Sequence, residues 1–205
     1  MHFSIPAILT LLLAGSQAVP TSPPPAIRIP QGQSDGSYLV HHWGARQELH
    51  ERLPDPTDQE LQAYAAVRRA AAEVSQNVDT SAQLFKRDDY IACGCVDLDH
   101  RDCDDATHGV ELWADKVHTI QPDLCFYNIA RSVVAFICVP KANGNTIPFS
   151  INSDDAKRSW KHITDSCGRY KAGSEGWKPA HVTGYMTSDH GDYFGDAWKS
   201  PRTSC

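Results

Sequence analysis

All seven cysteines of this 205-residue chain (Cys93, Cys95, Cys103, Cys125, Cys138, Cys167 and Cys205) lie after residue 92. Just upstream of the first stands Leu84-Phe85-Lys86-Arg87. A Lys-Arg pair at the edge of a cysteine-rich module, behind a polar segment, has the form of a kexin-type maturation site, with Asp88 as the new N-terminus. Cleavage there leaves residues 88–205, 118 in all. That length supports one core, which disulfides would supplement.

The N-terminus fits the same logic. Ile5 to Ala14 is an apolar run interrupted only by Pro6 and Thr10, and Ser16-Gln17-Ala18 supplies small residues after it. The run falls short of the roughly 20 apolar residues that a bilayer span requires, so it reads as a signal peptide over residues 1–18, cleaved after Ala18. A secreted, extracellular product is expected. In an oxidising route seven thiols imply three bridges and one leftover thiol, with the pairing left open. Cys93-Gly94-Cys95 reads as two cysteines bridging to different partners rather than as a metal or redox tip.

Charge narrows the partners. From Asp88 onward 12 basic residues face 17 acidic ones, a net charge of −5. Such a module lacks the basic footprint of a nucleic-acid binder or of adhesion to anionic lipid. A protein partner is the expectation.

Residues 19–87 read as a pro-segment. Val19 to Tyr38 is rich in Pro, Ser, Gly and Gln and is expected to be disordered or polyproline-like. Thr57-Asp58-Gln59-Glu60 has the form of a capping box, and Tyr64, Val67, Ala71 and Val74 recur on one face, predicting a helix over about 57–74. Arg68-Arg69 lies inside that helical pattern, where a protease needing an extended substrate would not cut.

In the cysteine-rich half, Asp104 and Asp105 offer an N-cap. Ala106, Val110, Trp113, Val117 and Ile120 then repeat at helical spacing up to Pro122. Leu124–Ile129 and Ser132–Val139 read as strands, the second apolar and β-branched enough to be central. Asn143-Gly144-Asn145 supplies a turn before a short strand, Thr146–Ile151. A second helix is expected with Ser153 as cap and Ala156, Trp160, Ile163 and Cys167 on one face, ended by Gly168. A glycine-spaced loop from Tyr170 to Pro179 and a strand from His181 to Thr187 complete the pattern. The fold class is therefore α+β: a small disulfide-stabilised sandwich, an antiparallel sheet with two helices on one face, behind a largely disordered pro-segment. Cys138 and Cys167 are a plausible bridge between its layers.

The order from Asp104 to Met186 resembles the fungal killer-toxin fold and the related secreted necrosis-inducing proteins of plant-pathogenic fungi. The residues that carry the resemblance are the first helix, the apolar strand Val133-Val134-Ala135-Phe136-Ile137-Cys138 and the turn Asn143-Gly144-Asn145. The second helix, Gly173-Ser174-Glu175-Gly176 and the closing strand Val182–Met186 complete it. One departure is that no cysteine stands near Met186, where the family usually carries one. The resemblance implies a non-enzymatic toxin or effector whose target is a host or competitor protein, such as a membrane receptor or channel.

Catalytic motifs are sparse. Asp97-Leu98-Asp99-His100-Arg101-Asp102 begins like a calcium loop but lacks its glycine and closing glutamate, and His100, His108 and His118 have no zinc-ligand spacing. No metal or cofactor is expected. The stretch from Cys93-Gly94-Cys95 through Cys103 into a helix is similar to the opening of small guanyl-specific fungal ribonucleases. Those enzymes pair a glutamate base with a histidine acid and an arginine on the phosphate. From Asp88 onward only two glutamates are available, Glu111 on the presumed polar side of the first helix and Glu175. The alternative site is Glu175, His181 and Arg169, with His190 also downstream, in an active or catalytically dead relative. The remaining reading is a contact surface of Trp177, Tyr185, Tyr193, Phe194 and Trp198, although small cores need aromatics too.

Overall fold

Every residue of Val133–Val139 is buried. A continuous apolar run of that length, rich in β-branched residues, is stable as a strand covered on both faces, and it forms the centre of the fold. The computed structural model describes residues 29–41, 49–57, 59, 62, 89–117, 119–139, 148–177, 181–189 and 204–205. Its elements run in chain order as strands β1 (Gly36–His41), β2 (Leu49–Arg52) and β3 (Asp89–Asp97), then helix α1 (His100–Val117). Strands β4 (Thr119–Ile120), β5 (Leu124–Ala130), β6 (Val133–Val139) and β7 (Phe149–Ser150) follow, then helix α2 (Ser153–Cys167), β8 (Lys171–Trp177) and β9 (His181–Thr187).

Seven strands form one antiparallel sheet in the order β2-β1-β5-β6-β9-β8-β3. β4 and β7 pair as a separate ribbon. α1 leaves the β3 edge and crosses to β5 and β6, while α2 packs beneath β8, β3 and β9 and against α1. Both helices thus lie on one face. Among the elements described, the observed fold is the α+β sandwich, an antiparallel sheet with two helices on one face.

Local chemistry explains α2. The Asn152 side chain accepts from the Asp155 backbone N–H, and the Asp155 carboxylate accepts from the Asn152 N–H, a reciprocal capping box. Asn152, not Ser153, is therefore the cap. Ser153 instead donates its N–H to the Asp115 carboxylate at 2.8 Å. The expected face, Ala156, Trp160, Ile163 and Cys167, is buried. Gly168 closes the helix at φ 98°, a conformation open to glycine, and returns its N–H to Thr164 O.

Several expectations are corrected. α1 starts four residues before Asp104, because Asp99 accepts from the Asp102 N–H at 3.0 Å and caps the helix first. Asp104 and Asp105 lie within it, and Ile120 leaves it for β4. Glu111, expected on the polar side, is buried.

The supposed loop from Tyr170 holds strand β8 over Lys171–Trp177. Gly173 serves close packing there rather than a turn. A Cβ on Gly173 would come within 2.9 Å of Ile163 Cγ2 and 3.0 Å of Cys167 Sγ, so glycine lets α2 rest directly on the sheet.

The largest correction concerns the end of the stretch Val19–Tyr38. Gly36–Tyr38 falls in the stretch expected to be disordered, yet it begins β1, which pairs with β5 along six residues from Gly36 to His41. Val40 is fully buried and Tyr38 nearly so. The alternation of Tyr38 and Val40 was too short a signal to stand out against the flanking Pro, Gly and Ser. Of the predicted helix over about 57–74, Gln59 and Gln62 are helical and Thr57 is not. Residues 58, 60, 61 and 63–74, with Ala18, Lys86 and Arg87, lie outside the described residues.

Candidate functional site

The cysteine framework is the first determinant of what the chain can present. Cys93 pairs with Cys167, Cys95 with Cys205 and Cys125 with Cys138. Cys93 and Cys95 do go to different partners, and one thiol is left over. The suggested Cys138–Cys167 bridge does not form, since Cys138 belongs to the sheet face turned away from α2. It lies opposite Cys125 in the β5–β6 register, with Cα atoms 4.0 Å apart. Cys167 reaches edge strand β3 instead. The unpaired Cys103 is buried on α1, and desolvation, aided by neighbouring Asp104, pushes its thiol up to about 12. A thiol so rarely ionised is a poor nucleophile and packs as a small apolar group.

The alternative catalytic residues separate. Glu175 and Gly173 share a face of β8, so Glu175 points under α2. There its Oε1 lies 3.0 Å from His162 Nδ1. Thr183 stands opposite Glu175 and His181 opposite Trp177, which makes Glu175 and His181 diagonal neighbours about 7 Å apart. His181 is buried and stacks on Phe149 with ring centroids 3.9 Å apart. Arg169 precedes the far end of β8, where its guanidinium lies over the Tyr170 ring. Two members of the trio therefore share a face and the third does not join them.

The setting of this pair is sealed. Glu175 retains 1% of its surface and Thr183 none. A base must come within hydrogen-bond reach of a substrate proton, and a carboxylate under a packed helix offers no such approach. Its hydrogen bond with the half-exposed His162 offsets part of the cost of burying a polar group and ties α2 to β8. His162 was not legible as a partner. It flanks the apolar stripe of α2, and no spacing rule links it to Glu175 thirteen residues away.

A second charged cluster sits at the β5–β6 turn. Arg131 adopts φ 49°, strained for a side chain with a Cβ. Its guanidinium bonds Asp102 and Asp105 on α1, and its N–H donates to the Asp35 carboxylate at 2.9 Å. The Ser132 hydroxyl and N–H both donate to Asp102 Oδ2. Hydrogen bonds from the Ser132 and Arg131 side chains hold Asp102 at about 2, below the usual carboxylate range. Asp102 is thus part of a turn clamp rather than of a calcium loop. His100, from the same segment, stacks on Tyr170 at 4.0 Å.

An apolar cavity of about 110 Å³ opens between α1 and the sheet, lined by Leu39, Leu53, Trp113, Leu124, Phe126 and Ile137 among others. Its walls come from both halves of the chain.

The aromatic surface loses one member. Tyr185 is 2% exposed, packs on Trp160 and exchanges a hydrogen bond with Thr164 at 3.1 Å, so it belongs to the core. Of Trp177 the backbone in β8 is described, while Tyr193, Phe194, Trp198 and His190 lie outside the described residues. Among the described residues no three His, Cys, Asp or Glu side chains converge as a metal site. Nor is any described helix long and apolar enough to cross a membrane. Comparison with protein-family models, with curated proteins and with solved structures gives no match.

Proposed function

We propose that this chain is a secreted effector or toxin, matured by kexin-type cleavage, that acts by binding a host or competitor protein and so alters the responses of its target cell. The observation that carries this reading is the cysteine framework. Three bridges lie wholly within residues 93–205, downstream of Lys86-Arg87, and tie both the edge strand and the chain end. Such bridges persist in an oxidising environment. The acidic module, with a net charge of −5, favours a protein or a cationic target over nucleic acid.

The test is the intact mass of the protein secreted by a kexin-competent fungal host, before and after reduction and alkylation. A chain starting at Asp88 with six of seven thiols oxidised supports the reading. A chain starting near Val19 removes the processing step from it.

A ribonuclease-like activity is the second reading, favoured by the shared face of Glu175 and His181. Burial of both works against it. RNA cleavage by the purified protein that Glu175→Gln abolishes, with the fold intact by circular dichroism, would replace binding by catalysis.

A further inference from the structure

We propose that cutting the chain at Lys86-Arg87 does not free the cysteine-rich half: the β1–β2 hairpin stays paired with β5, and the processed protein is a two-chain, non-covalent complex. The inference takes only the position of the natural cut from the processing reading above. The pairing itself is independent of it.

The hairpin occupies a whole edge of the sheet. β1 runs antiparallel to β5 from Gly36↔Ile129 to His41↔Leu124, and β2 covers the outer side of β1. On one face the Ser37 hydroxyl donates to Asn128 Oδ1 at 2.9 Å. On the other, Tyr38 stacks on Tyr127 with centroids 5.1 Å apart. The Tyr127 hydroxyl donates to Gln33 Oε1 at 2.8 Å and lies 2.8 Å from His50 Nδ1. Farther along, the Asp35 carboxylate accepts the N–H of strained Arg131.

Removing residues 29–57 would strip these partners at once. Fully buried Tyr127 would lose its stacking and hydrogen-bond partners on that side, the β5 backbone would become a bare edge, and the cavity lined by Leu39 and Leu53 would lose a wall. A long apolar edge of that kind invites aggregation, and folded proteins cover such edges. The hairpin is the cover. No disulfide can hold it, because residues 1–92 contain no cysteine, so its attachment after a cut is by pairing and packing alone.

The experiment uses the full chain without residues 1–18. Leu84–Arg87 is replaced by the recognition sequence of a site-specific protease, which makes the cut whether or not Lys86-Arg87 is used in secretion. After complete cleavage, size-exclusion chromatography at micromolar concentration should show both fragments eluting together at the volume of the uncut chain. Urea without reductant should separate them. Val40→Ala in the cut protein should raise the fraction of dissociated fragments on dilution several-fold, while the uncut variant stays folded. Elution of the N-terminal fragment on its own, with the cysteine-rich fragment either monomeric or aggregated, overturns the proposal.

In the secreted natural protein, two masses under denaturing, non-reducing conditions and one under native conditions are the expected result. A single denatured mass beginning near Val19 refutes natural cleavage, and the engineered cut still decides the pairing.

Discussion

Residues 89–205 and residues 36–52 belong to one sheet but are secured to it by different means. The first region is tied at β3, at the chain end and across β5–β6 by three disulfides. The second contains no cysteine and is held by a six-residue strand register, a buried valine and a tyrosine stack. Cross-links act largely by restricting the unfolded chain, whereas the hairpin must outweigh its own ordering entropy through burial. The two edges differ accordingly. β3 carries a register irregularity between Cys93 and Asp97, with Cys95 at φ 58°, and its bridges fix that irregular edge in place. β2 presents a short outer strand with exposed Glu51 and Arg52, a polar finish that discourages further pairing.

The contrast is tested most strongly by opening a bridge. Cys93→Ser with Cys167→Ser releases a link between residues 74 apart and should cost about 2–5 kcal/mol in urea unfolding. The same loss should leave hydrogen-exchange protection in β1 close to that of β5, since neither strand carries that bridge. On the hairpin side, Val40→Ala deletes fully buried methyl groups and should cost about 2 kcal/mol. If protection in β1 falls while that in β6 is kept, the hairpin is the less stable unit. Equal losses would show one cooperative unit and remove the contrast.

Two substitutions sharpen the picture within the cysteine-rich half. Gly173→Ala forces α2 off the sheet and should destabilise by about 1–3 kcal/mol, read as a lower melting temperature. Asn152→Ala removes the cap of α2 and should cost about 1 kcal/mol by the same measurement.

The smallest expected effect is on acid stability. Asp102 is at about 2 in the folded chain against an ordinary 3.8, so its contribution is complete above about pH 4. It is lost as the pH falls through 2. Asp102→Asn should therefore flatten the decline of stability between pH 4 and pH 2, as followed by urea midpoints. An unchanged acid limb would show that other carboxylates carry it.

Much of the cysteine-rich half was legible because its signals are local. β6 is a continuous apolar run, α2 has a clean apolar stripe ended by glycine, and the Cys93-Gly94-Cys95 spacing already argued for two separate partners. The misreadings share a cause. Gly173 looks like a turn residue until the approach of Ile163 and Cys167 is known. β1 looks like linker because Tyr38 and Val40 on one face and Leu39 on the other cannot outweigh nearby Pro and Gly without β5 beside them. Among the site residues, Glu175 and His181 were legible as candidates. Their burial, the partnership of Glu175 with His162 and the isolation of Arg169 were not, because each depends on which faces meet.

Short-range chemistry in the sequence was thus enough to determine an α+β module, its central strand, the apolar face of α2 and the count of three bridges with one thiol to spare. Which cysteines pair, which edge each strand takes, and whether residues 36–52 belong to the fold were decided only in three dimensions. A disulfide or a sheet edge joins residues remote in sequence. The free energy that selects it comes from close packing and shared burial, which no local pattern contains.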